Sequence, residues 1–190
     1  DDYPREDHRH GIIHDCLPTP EGIEVCRDYH IQMPMQSAFI GWKQEPDDYL
    51  EHILGHDRLE KLNPIKTFRD NGIMVSFGSD APCTTPDPIA WMDRAVNNDN
   101  AGQAVSVQDA LRMCTYNGAW AAFDEQERGS LEAGKIADMA VLSENPYTVP
   151  KDKLSGLRVE RLYLGGKPYE SCRESILPMM LRGLTSRNKA

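Results

Sequence analysis

The apolar positions of this chain form short runs, and the clearest run ends at an acid. Ile73 to Phe77 is apolar and partly β-branched, as expected of a strand that is buried on both faces. A glycine and a serine interrupt the run and lead to Asp80. A carboxylate at the end of a buried strand needs a cation or a hydrogen-bond network. Asp80 is therefore a candidate metal ligand, although loop aspartates also commonly start a turn or cap the next helix.

A second apolar run, Gly11-Ile12-Ile13, predicts another buried strand and ends in the same way at His14. In barrels of alternating strands and helices, residues at the carboxyl ends of the strands carry the chemistry. His14 is accordingly a candidate metal ligand, and the alternative is a partly buried, hydrogen-bonded histidine.

Between these two runs the pattern alternates between helix and strand. Thr19 and Pro20 are typical of a helix start. Ile31 to Gln36 alternates apolar and polar residues like a strand, and Pro64 to Gly72 predicts a helix that leads directly into the strand before Asp80. This succession indicates parallel strands that are joined by crossover helices.

Beyond Asp80 the pattern predicts helices and then a few strands. The predicted helices are Pro88 to Val96, a segment from Val107 that Ser106 caps, and Ala119 to Phe123. The predicted strands are Ala137 to Leu142 and Leu157 to Leu164, followed by a hairpin turn at Gly165-Gly166. Residues 176–190 are expected to pack as a helix and then fray.

The composition and charge of the chain exclude some classes of binding partner. The net charge is -9 at pH 7 and no basic stripe is present, so we expect no nucleic-acid partner. No apolar run is long enough to span a bilayer, so we expect no membrane partner. Five cysteines without paired or zinc-finger spacing argue against a disulfide framework and favour a reducing, cytoplasmic location.

Several segments, taken together, resemble one family. They are His14 with the run before it, Phe77-Gly78-Ser79-Asp80-Ala81-Pro82, Thr115-Tyr116-Asn117-Gly118-Ala119, the glycine-rich stretch from Gly129 to Leu142, and the hairpin through Tyr169. The chain resembles the C-terminal part of the metal-dependent hydrolases of the amidohydrolase superfamily, in the branch called amidohydrolase family 3.

The resemblance implies a fold and a domain division. The fold class would be α/β, with the last strands and helices of a TIM-like (β/α)8 barrel and part of a small flanking β-sandwich. Residues 1–128 would form the C-terminal portion of the barrel, residues 129–170 would supply strands of the sandwich, and residues 171–190 would be a C-terminal tail.

The resemblance also implies a site. His14 would end barrel strand six and bind the metal. Asp80 would end strand eight, bind the metal and act as the general base. The cofactor would be a divalent metal, zinc by preference, with one or two ions in the full-length enzyme, and the partner would be a small-molecule substrate.

Some of the family's metal ligands are absent from this chain. The family's paired histidines on strand one, its modified lysine on strand four and its histidine on strand five have no counterpart. His8 and His10 have the spacing of the strand-one pair, but they lie in a charged segment that we expect to face water. We therefore expect a C-terminal portion of a larger enzyme, which pairs with the missing N-terminal half of the barrel or associates with itself.

Two functions follow from these expectations. In the first, a metal-bound water attacks a C–N, amide-like bond, with Asp80 as general base. In the second, the chain is a non-catalytic remnant or interaction domain of the same fold that lacks a complete metal site. The first function requires His14 and Asp80 to lie close together at one edge of a sheet.

Overall fold

A parallel sheet organises the first half of the chain. The computed structural model describes residues 5–169, so the helix expected within residues 176–190 lies outside the described residues. Strand β1 (Met33–Met35) pairs in parallel with β2 (Val75–Phe77), with Met33 opposite Val75 and Met35 opposite Phe77. The helices around these strands are α1 (Pro20–Asp28), α2 (Asp47–Leu54), α3 (His56–Leu59) and α4 (Ile65–Asp70). The predicted succession of parallel strands and crossover helices is therefore confirmed here.

The segment around Gly11 lies along the other side of β1. Gly11 forms a parallel bridge with Gln32, and the amide of Ile12 donates to the Gln32 carbonyl at 3.0 Å. The prediction of a buried strand is wrong at this position, since Ile12 and Ile13 are 44% and 63% exposed. The segment is the outer edge of a narrow sheet, where no further strand of the described chain covers these side chains.

Local capping signals determine where several helices begin. The Thr19 hydroxyl accepts the Gly22 amide at 3.1 Å at the start of α1. Helix α5 (Pro88–Val96) and α6 (Val107–Cys114) follow β2, and Ser106 caps α6 as predicted. Helix α7 (Tyr116–Ala121) begins three residues before the predicted Ala119, because the chain resumes helical geometry directly after Thr115.

The hydrophobic core lies between the parallel sheet and helices α4, α5 and α6. Short 3₁₀ turns lie at Ser37–Phe39 after β1, at Ala101–Gln103 between α5 and α6, and at Lys151–Gly156 in the second half of the chain. The largest fully buried side chains of the core are Phe68, Met33, Met35, Ile65, Met92, Leu154 and Val75. Strands β1 and β2 are therefore held in place by a closely packed core.

The second half ends in an antiparallel sheet. Strand β4 (Val159–Leu164) pairs with β3 (Met139–Leu142) and with β5 (Lys167–Pro168), in the order β3-β4-β5. The turn at Gly165-Gly166 is confirmed, with both glycines at positive φ. Much of this sheet is exposed, and its place in a flanking β-sandwich, like the domain boundary at residue 128, stays a prediction.

Within residues 5–169, no helix is both long enough and apolar enough to cross a membrane.

Candidate functional site

The carboxyl edge of the parallel sheet brings His14 and Asp80 together. His14 follows the Gly11 bridge by three residues, and Asp80 follows Phe77 of β2 by three residues. Their strands flank β1 on opposite sides, so the two side chains converge over its end. The His14 Nε2 and Asp80 Oδ2 atoms are 3.3 Å apart. This is the proximity that the enzyme hypothesis required.

Both residues leave their strands through the left-handed region of backbone conformation. His14 has φ 61° and Asp80 has φ 53°. Such conformations are uncommon for residues other than glycine and cluster at functional sites. The Cys83 amide donates to the Asp80 carbonyl at 2.9 Å, so the backbone of Asp80 does start a turn. The next helix, α5, is capped by Asp87 and not by Asp80.

The pair is partly open to solvent and has an aromatic neighbour. The side chains of His14 and Asp80 are 37% and 46% exposed. The His14 ring packs edge-on against Phe39 with 5.5 Å between ring centroids, and Phe39 packs against Trp42 at 4.8 Å. A small molecule can therefore reach the Asp80 carboxylate from solvent, alongside the apolar rings of Phe39 and Trp42.

The donor atoms suit a metal ion but do not complete its ligand set. Ligands of a tetrahedral zinc ion with bonds of about 2.0–2.2 Å lie about 3.3 Å from one another. The observed separation of 3.3 Å matches this requirement. Among residues 5–169, no group of three or more histidine, cysteine, aspartate or glutamate side chains could hold a metal ion. The described residues fit as two ligands, and the metal-binding role of each stays a prediction.

Gln36, which directly follows β1 at the same edge, was not among the residues predicted for the site. Gln36 is only 8% exposed, and its Nε2 donates to the Pro34 carbonyl at 3.2 Å. Its Oε1 is buried without a hydrogen-bond partner. The strand-end rule that selected His14 and Asp80 also applies to the alternating segment 31–36 and could have found this residue.

Asn117 supports the strand that carries Asp80. It lies in α7, is 8% exposed, and donates from Nδ2 to the Val75 carbonyl of β2 at 2.7 Å. This bond satisfies a strand carbonyl that would otherwise be buried without a partner. From the sequence, Asn117 was only part of a segment that carries the family resemblance, with no role of its own.

His8 and His10 do not belong to this site. Their rings stack with centroids 4.7 Å apart. His8 Nε2 donates to the Tyr29 carbonyl at 2.9 Å, and its Nδ1 accepts the His10 amide at 3.0 Å. His10 is exposed as predicted, but His8 is half-buried because of these contacts.

The fold and the edge geometry define an α/β protein with a histidine–aspartate pair at the ends of parallel strands. A model of the amidohydrolase family matches residues 1–169, and the chain belongs to this family. The recognition made from the sequence motifs is thereby confirmed.

Individual relatives agree with this assignment. The chain is 34% identical over 152 residues to an N-substituted formamide deformylase of Arthrobacter pascens, a match that covers 76% of this chain and 26% of the relative. The putative amidohydrolase YtcJ of Bacillus subtilis is 26% identical over 176 residues, covering 87% of this chain and 33% of the relative. The chain therefore spans about a quarter to a third of the length of these curated relatives.

A solved structure supports the fold. An uncharacterised metal-dependent hydrolase from Pyrococcus horikoshii superposes with a TM-score of 0.66 at 23% identity, covering 76% of this chain and 30% of that one. The mixed α/β fold of the amidohydrolases is confirmed, while the extent of the barrel in this chain stays a prediction.

Proposed function

We propose that this chain belongs to a metal-dependent hydrolase of C–N bonds and contributes His14 and Asp80 to its metal site. The observation that carries the proposal is the separation of 3.3 Å between His14 Nε2 and Asp80 Oδ2. Membership of the amidohydrolase family supports the reaction class. The formamide deformylase among the relatives makes N-substituted formamides the first small-molecule substrates to test.

The two residues would divide the work. A bound divalent cation lowers the pKa of a coordinated water towards neutrality. His14 would hold the ion through an imidazole nitrogen. Asp80 Oδ2, which faces His14, would be the second ligand, and Oδ1 would be the oxygen that accepts a proton from water. The left-handed turn at Asp80 places the carboxylate beyond the end of β2, and its side chain is 46% exposed.

Zinc is the metal that we propose. A nitrogen and a carboxylate donor at this separation suit a tetrahedral zinc ion. An adenosine deaminase structure from Xanthomonas campestris that superposes on this chain with a TM-score of 0.61, at 18% identity and covering 93% of this chain and 41% of that one, is described with bound zinc. The number of bound ions, one or two, stays a prediction. The cytoplasmic location and the self-association expected from the sequence also stay predictions.

The test compares two site variants with the unaltered protein. His14→Ala and Asp80→Asn should each weaken zinc binding at least about tenfold in calorimetric titration, because the first removes a ligand and the second replaces a carboxylate ligand with a neutral amide. Formamide hydrolysis should fall with zinc binding. His52→Ala, which changes an exposed histidine on α2, is the matched control and should leave both properties unchanged.

The non-catalytic interaction domain is the competing function. The observation in its favour is that residues 5–169 hold no group of three or more metal-ligating side chains. Zinc binding that survives both site substitutions would favour this alternative.

A further inference from the structure

Gln36 is a buried polar residue beside the candidate site. It lies one residue past the end of β1, the middle strand between the segments that carry His14 and Asp80. Three neighbouring strand ends therefore place a polar side chain at the same edge of the sheet. Gln36 is the buried member of the three, at 8% exposure.

The carboxamide of Gln36 lies between the two loops of the site. Its Nε2 and the backbone amide of His14 donate to the same acceptor, the Pro34 carbonyl, at 3.2 Å and 3.4 Å. On the other side, a Cβ atom placed on Gly78 would lie 3.8 Å from Gln36 Nε2. The amide therefore shares an acceptor with the His14 backbone and lies close to Gly78, two residues before Asp80.

The unpaired oxygen of Gln36 is unfavourable for folding. A buried acceptor without a partner loses its hydration and gains no hydrogen bond in return. An apolar side chain of similar size would fill the same space without this loss. Each such group in a folded protein calls for an explanation, and a role at a binding site is one.

We propose that Gln36 is a positioning residue of the His14–Asp80 site. Its amide fixes the spacing of the two loops, and its free oxygen accepts a hydrogen bond from a donor that enters with the hydrated ion. Residues that orient the direct ligands commonly change metal affinity by about 10–100-fold when they are replaced. This inference rests on the proposed function of the pair.

The chain offers a matched control in Gln32. Gln32 precedes β1 at the opposite end, is 6% exposed, donates from Nε2 to the Arg9 carbonyl, and also has a buried, unpaired Oε1. Gln32→Met and Gln36→Met therefore make the same chemical change at the two ends of one strand. A purely structural role would give the two variants the same behaviour.

The experiment titrates Zn²⁺ into the protein and records thermal unfolding without metal. Gln36→Met should keep or raise the melting temperature and weaken zinc binding about tenfold. Gln32→Met, which leaves the Arg9 carbonyl without this donor, should lower the melting temperature without changing zinc binding. Gln36→Glu, which retains acceptor oxygens at this position, should bind zinc more tightly than Gln36→Met.

The outcomes separate the inference from the proposed function. If His14→Ala loses zinc binding while Gln36→Met binds like the parent protein, the positioning role is wrong and the metal site stands. Equal losses in Gln36→Met and Gln32→Met would also overturn the positioning role. Zinc binding that is absent from the unaltered protein, or is unaffected by His14→Ala, would overturn both.

Discussion

At the scale of single residues, the site depends on an unusual backbone as much as on side-chain chemistry. His14 and Asp80 both adopt positive φ, and histidine, aspartate and asparagine tolerate this region better than most residues. The residue types at these two positions therefore serve the backbone and the proposed metal at once.

Substitutions at Asp80 can separate these two requirements. Asp80→Asn should keep the free energy of unfolding, because asparagine tolerates the left-handed conformation. Asp80→Val should lower it by about 1 kcal/mol or more, because a β-branched residue is strained there. Urea denaturation measures both values, and equal stability of the two variants would contradict the backbone argument.

Cys114 gives the chain a prediction for alkaline pH. Burial raises the pKa of the Cys114 thiol to about 12 from an ordinary value of 9.0. The unfolded chain releases this proton near pH 9, whereas the folded chain keeps it until about pH 12. Cys114 is half-buried, and the stability from its neutral thiol is complete below pH 9 and is lost progressively as the pH rises towards 12.

Cys114→Ala should therefore reduce the loss of unfolding free energy between about pH 8 and about pH 10.5. Urea denaturation at the two pH values gives the slope. Cys83→Ala, which changes an exposed thiol, is the control and should keep the slope of the parent protein. If the unfolding free energy of Cys114→Ala fell with pH as steeply as that of the parent protein, the raised pKa of Cys114 would not be its cause.

The sequence was sufficient to select His14 and Asp80 because each ends an apolar run, and this signal is local. The same strand-end rule points to the position of Gln36, but its unpaired carboxamide oxygen becomes visible only when the surrounding side chains are in place. The same limit applies to Asn117, whose partner Val75 is distant along the chain.

At the scale of elements, local capping chemistry made the helices predictable. The Ser106 hydroxyl accepts the Asp109 amide at 3.1 Å. Burial acts to raise the pKa of Asp109, but hydrogen bonds from Ser106 and Arg69 outweigh it, so the pKa is lowered. Strand burial was less predictable, because Ile12 and Ile13 are exposed only through their place at the sheet edge.

Removal of the Ser106 cap should destabilise the protein. Ser106→Ala should lower the free energy of unfolding by about 1 kcal/mol, because the first turn of α6 loses a side-chain acceptor. Ser106→Thr keeps the hydroxyl and should retain most of the stability. Chemical denaturation of both variants is the measurement, and an alanine variant as stable as the threonine variant would argue against the cap.

At the scale of the whole molecule, Arg9 joins the segment before His14 to the end of α7. Its side chain, 7% exposed, donates to both carboxylate oxygens of Glu125 at 2.8 Å and lies over the rings of Trp120 and Phe123. The hydrogen bond from Arg9 holds the pKa of Glu125 below its usual range. This link fixes the outer segment of the sheet from a part of the chain that is 116 positions away.

Arg9→Lys should lower the melting temperature and weaken zinc binding together. Lysine keeps the charge but cannot donate to two oxygens or stack on the rings as arginine does. Arg27→Lys, at an exposed arginine that pairs with its neighbour Asp28, should change neither property. Thermal unfolding and zinc titration measure the effects, and a stable Arg9→Lys protein with weakened zinc binding would show a direct role at the site.

The bridge between Gly11 and Gln32 has a consequence for the register of the outer segment. Successive side chains of a strand point to opposite faces, so a slip of one residue would turn His14 away from Asp80. A Cβ atom on Gly11 would lie 2.9 Å from Gln32 Cγ and 3.2 Å from the Gln32 carbonyl oxygen. The absence of a side chain at Gly11 therefore permits the alignment in which the pair meets. A larger residue at position 11 would disturb the site by shifting this alignment, without contacting either member of the pair.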